Sequence, residues 1–287
     1  MMTILGMIIV LVSVIGGFLE AGGNLAVIVQ PAEMIIIAGA AIGSLLIASP
    51  GKVLKLIFRD FSKIFSSENP NKGTYIEVLL LLNQIFWKIR KDGLLAIEED
   101  VENPTKSEIF NRYKSIVSNK QTLEFVCDNL RVILTTNMPA HEYDSLLEID
   151  IEAHHHEKMI PSHSIARVAD ALPGLGIVAA VLGVVLTMGK INEPPAVLGA
   201  SIGGALVGTF LGVLACYGFV GPMATNLEHR ATEKETYYNV IKTALVAFVG
   251  GAAPQVAVES GRRAIPGVDR PSFAELEEAI KKWKDKT

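Results

Sequence analysis

Two apolar stretches decide how this chain folds: VADALPGLGIVAAVLGVVLTMG, from Val168 to Gly189, and AVLGASIGGALVGTFLGVLACYGFVGP, from Ala196 to Pro222. A membrane-spanning helix needs about 20 apolar residues. Each stretch meets that length, and the few residues between them fold the pair into a transmembrane hairpin. The second stretch carries Gly199, Gly203, Gly204, Gly208 and Gly212. Small residues recurring at four-residue spacing leave a helix face bare and let another helix approach closely. The aliphatic hydroxyls in the hairpin are those of Thr187, Ser201 and Thr209, and its acid is Asp170, one turn before the apolar core. Such a hairpin holds little with which to carry an ion.

Composition agrees with a membrane protein that has a substantial soluble part. Hydrophobic residues make up 50% of the 287 and charged residues 20%, and the mean hydropathy is +0.38. The 26 basic and 30 acidic residues give a net charge of -4 with no concentrated basic arm, so nucleic acid is not an expected partner. Cys127 lies in a charged segment and Cys216 in a membrane run, so both are read as free thiols.

The first apolar run, Thr3 to Leu19, lacks a basic leader and a small-residue cleavage site and is read as a retained helix. Gly22-Gly23-Asn24 turns the chain through an uncharged segment to Pro31, which starts a second run, Ala32 to Ala48, with Glu33 in its first turn. An acid is favourable at that end of a helix. Lys52, Lys55, Arg59 and Lys63 follow at once, whereas the two short opposite loops hold only Glu20, Lys190 and Glu193. The positive-inside rule then places the N-terminus, the middle segment and the C-terminus in the cytoplasm.

The middle segment is charged and helix-prone. Ile76 to Trp87 form an apolar stripe bounded by Lys72-Gly73 and Asp92-Gly93; Glu102-Asn103-Pro104 marks a turn; Ser107-Glu108 opens a helix reaching Tyr113 and beyond. Further helical patterns run from Thr122 to Leu134 and from His141 to Ile151. After Pro222 the last span continues as a charged helix, Ala244 to Ala253 is a buried apolar helix interrupted at Gly250-Gly251, and Ser272 with Glu275 forms a capping box. The expected architecture is an all-α polytopic membrane protein with four transmembrane helices in two hairpins and a helical cytoplasmic domain. Its parts are a first hairpin (1–50), the cytoplasmic domain (51–167), a second hairpin (168–225) and C-terminal cytoplasmic helices (226–287).

Read by themselves, the candidate functional residues admit plain explanations. Asp170 lies within a turn of Arg167 at the membrane interface, where snorkelling or pairing is easy. Pro173 and Pro222 bracket the hairpin, and each is a kink, a helix start or a hinge. Arg90 and Glu98 flank the Asp92-Gly93 break as solvated charges or as a partner surface. His154-His155-His156 is a weak metal signal, because adjacent histidines diverge on a helix. No metal or cofactor is expected. No Walker A or Gly-x-Gly-x-x-Gly fingerprint is present, and the Gly-x-Ser-x-Gly match from Gly199 to Gly203 lies within an apolar run, so an enzyme is not expected either.

Several segments carry a further likeness. Pro31 to Ala40, Glu102-Asn103-Pro104, Ser107 to Phe110, Leu172 to Gly183, Val207 to Gly212 and Pro271 to Glu278 resemble the flagellar motor stator proteins of the MotA family, within the MotA/TolQ/ExbB group. The resemblance spans essentially the whole chain. It implies a homo-oligomer of five copies in the bacterial inner membrane, surrounding a dimer of the single-span partner MotB, whose aspartate carries the ion. It further implies that ion flow turns the ring and that torque passes to the rotor switch protein FliG. On this resemblance Arg90 and Glu98 are the rotor-contacting charges, and Pro173 and Pro222 couple ion passage to shape change. Sodium-driven members resemble this chain but have threonine where Ala180 stands, which points to protons; Thr209 matches a hydroxyl position shared by both kinds. A sodium-driven stator, an energiser of the ExbB/TolQ type and a lone secondary transporter are the competing readings.

Overall fold

The computed structural model describes residues 2–61, 64 and 70–284, and every regular element among them is helical. Four runs are long and apolar enough to cross a membrane: Met2–Glu20, Leu25–Ala48, Ala140–Met188 and Pro195–Val249. A bilayer demands internal pairing of backbone polar groups, which helices supply. The chain is an all-α membrane protein.

The residues form two compact units, Met1–Glu68 with Glu157–Ala231, and Asn69–His156 with Thr232–Thr287. The first begins with α1 (Met2–Glu20), which buries none of its residues against the rest of the chain. Gly22 turns the chain at φ +81°. The segment read as uncharged connection then contains a short helix, α2 (Leu25–Ile28), whose N-cap Asn24 accepts from the Ala26 amide. Pro31 opens α3 (Pro31–Ala48), a position where its missing N–H costs no helix bond. α4 (Gly51–Phe61) follows directly; it buries Ile57 and Asp60 and exposes Lys52, Lys55 and Phe58.

The second hairpin is built from α10 (Ala140–Met188), of which residues 157–188 belong to this unit, and α11 (Pro195–Leu214). Composition changes abruptly near Val168, from charged to apolar, yet the helix does not break there. The two helices meet backbone to backbone. A Cβ built on Gly212 would lie 2.5 Å from the Leu172 carbonyl oxygen and 2.9 Å from the Gly176 Cα. One on Gly176 would lie 2.7 Å from the Gly208 oxygen, and one on Gly183 2.7 Å from the Ala205 Cβ. Gly204 instead receives the Gln30 amide, 3.0 Å from its Cβ position. Gly199 and Gly203 meet nothing within 4 Å. Successive helical residues turn by about 100°, so the five glycines form two stripes on opposite faces rather than one.

A π-helical turn, Ala215–Val220, joins α11 to α12 (Gly221–Val249). The Gly221 amide there donates to the Cys216 carbonyl, five residues back. Around this turn Ile37, Ala41, Ala169, Leu172, Ala179 and the free thiol Cys216 form an apolar cluster.

The second unit is organised on α5 (Lys72–Asp92), which buries Tyr75, Val78, Leu79, Leu81, Leu82, Ile85 and Phe86. Asn71 and Thr74 form its capping box, and Gly93 ends it at φ +88°. A 3₁₀ turn (Leu94–Ile97) leads to α6 (Glu98–Glu102), α7 (Glu108–Asn111), α8 (Lys114–Ser118) and α9 (Lys120–Thr135). The single helix expected from Ser107 past Tyr113 is thus two. Phe110, Tyr113 and Ile116 are all buried, and a spacing of three drifts off one face of a helix with about 3.6 residues per turn. The chain therefore resets at Tyr113, whose hydroxyl meets Gln84. Free Cys127 on α9 is buried, which pushes its thiol up to about 12.

The α12 part of this unit ends at Gly250-Gly251, where Gly251 has φ +92°. Val240, Ile241, Ala244 and Leu245 from α12 are fully buried, and Phe248 stacks on Phe86 with ring centroids 4.2 Å apart. α13 (Pro254–Ala264) packs Ala257 and Val258 into the same core. α14 (Phe273–Lys284) begins with the expected capping box: the Ser272 amide donates to Glu275 at 2.6 Å, and the Glu275 amide donates to the Ser272 hydroxyl at 3.2 Å. Buried Leu276 and the Lys72–Glu275 ion pair, at 2.6 Å, fix α14 to α5.

Two outcomes are expected. Gly212→Ala places a methyl against the Leu172 carbonyl and should cost about 1–3 kcal/mol, read as a lower melting temperature in detergent, whereas Gly203→Ala should leave the melt unchanged. The Glu275 carboxyl is held down to about 2, chiefly by Lys72 and then by the Ser272 amide. A carboxyl depressed in the folded state stabilises above its ordinary 4.5, and that contribution fades as pH falls from there towards about 2. Hydrogen-exchange protection of α14 should weaken across that window, and Glu275→Gln should abolish the dependence.

Candidate functional site

The predicted site residues fall into two groups, one in each unit. In the membrane unit the glycine crossing sets the positions of the predicted pathway residues. Ala180 is 9% exposed, with its amide nitrogen 3.1 Å from the Cβ position of Gly208. Thr209 is half-buried, its Cα 3.3 Å from the Cβ position of Gly176. Ala180 and Thr209 therefore belong to the same crossing, facing each other's helix.

The two prolines flank the apolar cluster beside it. Pro173 follows Leu172, and Pro222 comes two residues after Val220, both members of that cluster. Pro173 lies inside α10, where its missing N–H leaves the Ala169 carbonyl without its helical donor. Pro222 stands exposed in the first turn of α12, directly after the π turn. Such single π turns mark helices under local constraint and concentrate at functional sites. No composition signal announces this one.

The polar groups of the hairpin are accounted for locally. The Thr187 hydroxyl donates to the Gly183 carbonyl of its own helix at 2.8 Å, and Ser201 lies 3.5 Å from the Lys190 ammonium. Asp170 and Arg167 are both exposed, and no ion pair joins them among the described residues. Glu33, at the start of α3, has one carboxylate oxygen buried without a hydrogen-bond partner among the described residues. That oxygen sits at the end of a span. The apolar stretches 3–19, 34–48, 171–189 and 196–222 contain no Asp or Glu.

In the second unit Arg90 occupies the last turn of α5 and Glu98 the first residue of α6. The Gly93 reversal and the 3₁₀ turn carry both side chains to the surface, with Leu95, 73% exposed, between them in sequence. Arg90 also donates to the Gly251 carbonyl at 3.1 Å. Beneath this corner lies a brace that sequence reasoning missed. The Lys88 ammonium holds Asp100 at 2.6 Å, and the Ser107 hydroxyl donates to the same carboxylate at 2.5 Å while capping α7. Arg131 on α9 reaches Glu102 at 2.7 Å, a bond that raises the guanidinium pKa. The helix-start signal at Ser107 was legible, but its pairing with Asp100 was not.

The three histidines diverge. His154 lies 3.1 Å from Asp150, His155 3.1 Å from Glu235 and His156 3.9 Å from Glu152. Among the described residues no group of three or more His, Cys, Asp or Glu is placed to hold a metal ion.

Comparison with known proteins places this arrangement. Residues 4–93 match the family described as Motility protein A N-terminal, and residues 118–240 match the MotA/TolQ/ExbB proton channel family. Motility protein A of Escherichia coli (strain K12) is 41% identical over 99% of this chain and 97% of its own length. Motility protein A of Salmonella typhimurium is 40% identical over 98% of this chain and 95% of its own. The fold is that of a chain in the flagellar MotAB stator complex from Bacillus subtilis, with a TM-score of 0.78 at 22% identity, covering 95% of this chain and 99% of that one. A near full-length relative at 41% identity and two family matches make one conclusion: the chain belongs to the motility protein A family of the MotA/TolQ/ExbB proton channel proteins.

Proposed function

We propose that this chain is the ring-forming membrane subunit of a flagellar stator, working in the bacterial inner membrane with a MotB dimer. The observation that carries the reading is a contrast within the membrane unit. It has four spans and a backbone-close glycine crossing, yet no carboxylate at mid-span among the described residues. An ion crossing a low-dielectric layer needs a titratable or coordinating group on its path, so a partner must supply one. The B. subtilis structure with the same fold is a complex of MotA-type and MotB-type proteins, which supports that source.

In this reading the ring has five copies, and the N- and C-termini face the cytoplasm, as the basic residues after α3 favour. The ion is the proton. Ala180, packed against Gly208, brings no oxygen to the crossing, and hard cations such as sodium are held by oxygen ligands. Thr209 contributes its hydroxyl to the path. Pro173 and Pro222 act as hinges because each interrupts the hydrogen-bond ladder at one edge of the same cluster. Arg90 and Glu98, on the corner braced by Lys88, Asp100 and Ser107, meet charges on FliG.

The test is motility restored in a host deleted for its own stator genes and supplied with the MotB-type partner. Swimming speed should be unchanged when sodium is replaced by potassium and should vanish with a protonophore; dependence on sodium would reverse the ion assignment. Arg90→Glu and Glu98→Lys should each weaken rotor coupling by roughly 0.5–1 kcal/mol, the scale of exposed charge contacts. This reads as reduced torque at high load with normal membrane assembly. Pro173→Ala, which restores the missing amide, should abolish rotation while the complex still assembles.

A further inference from the structure

At the end of α3, where the apolar run stops, the membrane unit contains a cavity of about 420 Å³ between α3, the start of α4 and α10. That volume is within the usual range for small-molecule sites, about 300–1,000 Å³. Its lining includes the apolar Leu45 and Val168 and the polar Ser49, His163, Ser164 and Arg167. No carboxylate lines it. Ser49 is nine-tenths buried, and its side chain makes no hydrogen bond among the described residues. Arg167 is exposed and has no ion-pair partner among them. The Ser49 hydroxyl and the Arg167 guanidinium thus line one recess as donors with no acceptor among the described residues.

The depth of the recess narrows what the acceptor is. α3 has 18 residues, which at about 1.5 Å each rise roughly 27 Å, the thickness of a hydrocarbon core. Its last turn therefore lies at headgroup level. α4, directly after, carries Lys52, Lys55 and Phe58, the last 71% exposed, at three-residue spacing along one flank, basic and aromatic groups of the kind that sit at a membrane interface. Basic recesses between transmembrane helices at the cytoplasmic face bind anionic headgroups.

We propose that this recess holds the phosphodiester headgroup of an anionic phospholipid of the phosphatidylglycerol class. Arg167 and the imidazole N–H of His163 donate to the phosphate oxygens, Ser49 donates beside them, and an acyl chain lies against Leu45 and Val168. The lipid thereby ties α10 to the α3–α4 corner within the membrane unit.

The experiment is native mass spectrometry of the full chain with its partner, delipidated and re-equilibrated with mixed vesicles of dioleoyl phosphatidylglycerol and phosphatidylcholine. Phosphatidylglycerol should be retained about fivefold over phosphatidylcholine, the worth of one basic side chain beside an anionic headgroup. Arg167→Gln combined with His163→Ala should remove the preference, Arg167→Lys should keep most of it, and Lys190→Gln, in the loop between the two hairpin helices, should not change it. Should the double variant fail to assemble, a photoreactive phosphatidylglycerol on the unaltered complex should cross-link within residues 160–171. Equal retention of both lipids, cross-links confined elsewhere, or displacement of the lipid by soluble glycerol phosphate would each overturn the proposal.

Discussion

The contact between Gly176 on α10 and Gly208 and Gly212 on α11 is the constraint on which the membrane unit depends. In lipid, apolar side chains gain little by leaving their surroundings, so helices associate through close backbone packing. Side chains at these positions would force the axes apart. With the axes close, Ala180 is enclosed and Thr209 is half-buried against the facing helix, while Leu172, Ala179 and Cys216 close the cluster next to them. Gly199 and Gly203 look away from this contact and leave a second bare stripe with nothing within 4 Å of it among the described residues.

The second unit solves a different problem, that of presenting exposed charges on a firm base. Arg90 and Glu98 are surface residues whose own interactions are weak, but the loop joining them is short and its underside is buried, with Ile97 and Val101 fully enclosed. The half-buried Lys88–Asp100 pair and the Ser107 cap hold the turn from within. The backbone that carries these charges is thereby fixed to the core beneath it.

Much of this was legible in the residues. The apolar runs mark the spans by length alone, Gly93 and Gly251 end helices at positive φ as their neighbours suggest, and the Ser272–Glu275 capping box can be read directly. What could not be read has physical reasons. The change of composition at Val168 is a change of solvent, not of backbone, so α10 continues through it. The five glycines share a spacing but not a face, since Gly203 and Gly204 are adjacent and point apart. The π turn before Pro222 arises from how the helix accommodates a missing donor and a packed cluster. For the site the balance differs: Arg90, Glu98, Pro173 and Pro222 taken singly are ordinary surface charges and helix kinks, and their roles rest on the family likeness.

The placement of the two sulfur atoms has a practical side. Cys127 is enclosed by the α5–α9 core, where burial keeps its thiol protonated, and Cys216 is enclosed beside the glycine crossing. Thiol reagents attack the exposed thiolate, so neither native sulfur competes for them in the folded protein. The wild-type chain is accordingly a ready background for single-cysteine labelling: a fluorophore, spin label or cross-linker introduced beside Arg90, Glu98 or Pro222 reports from that position alone, without first stripping the protein of its own cysteines.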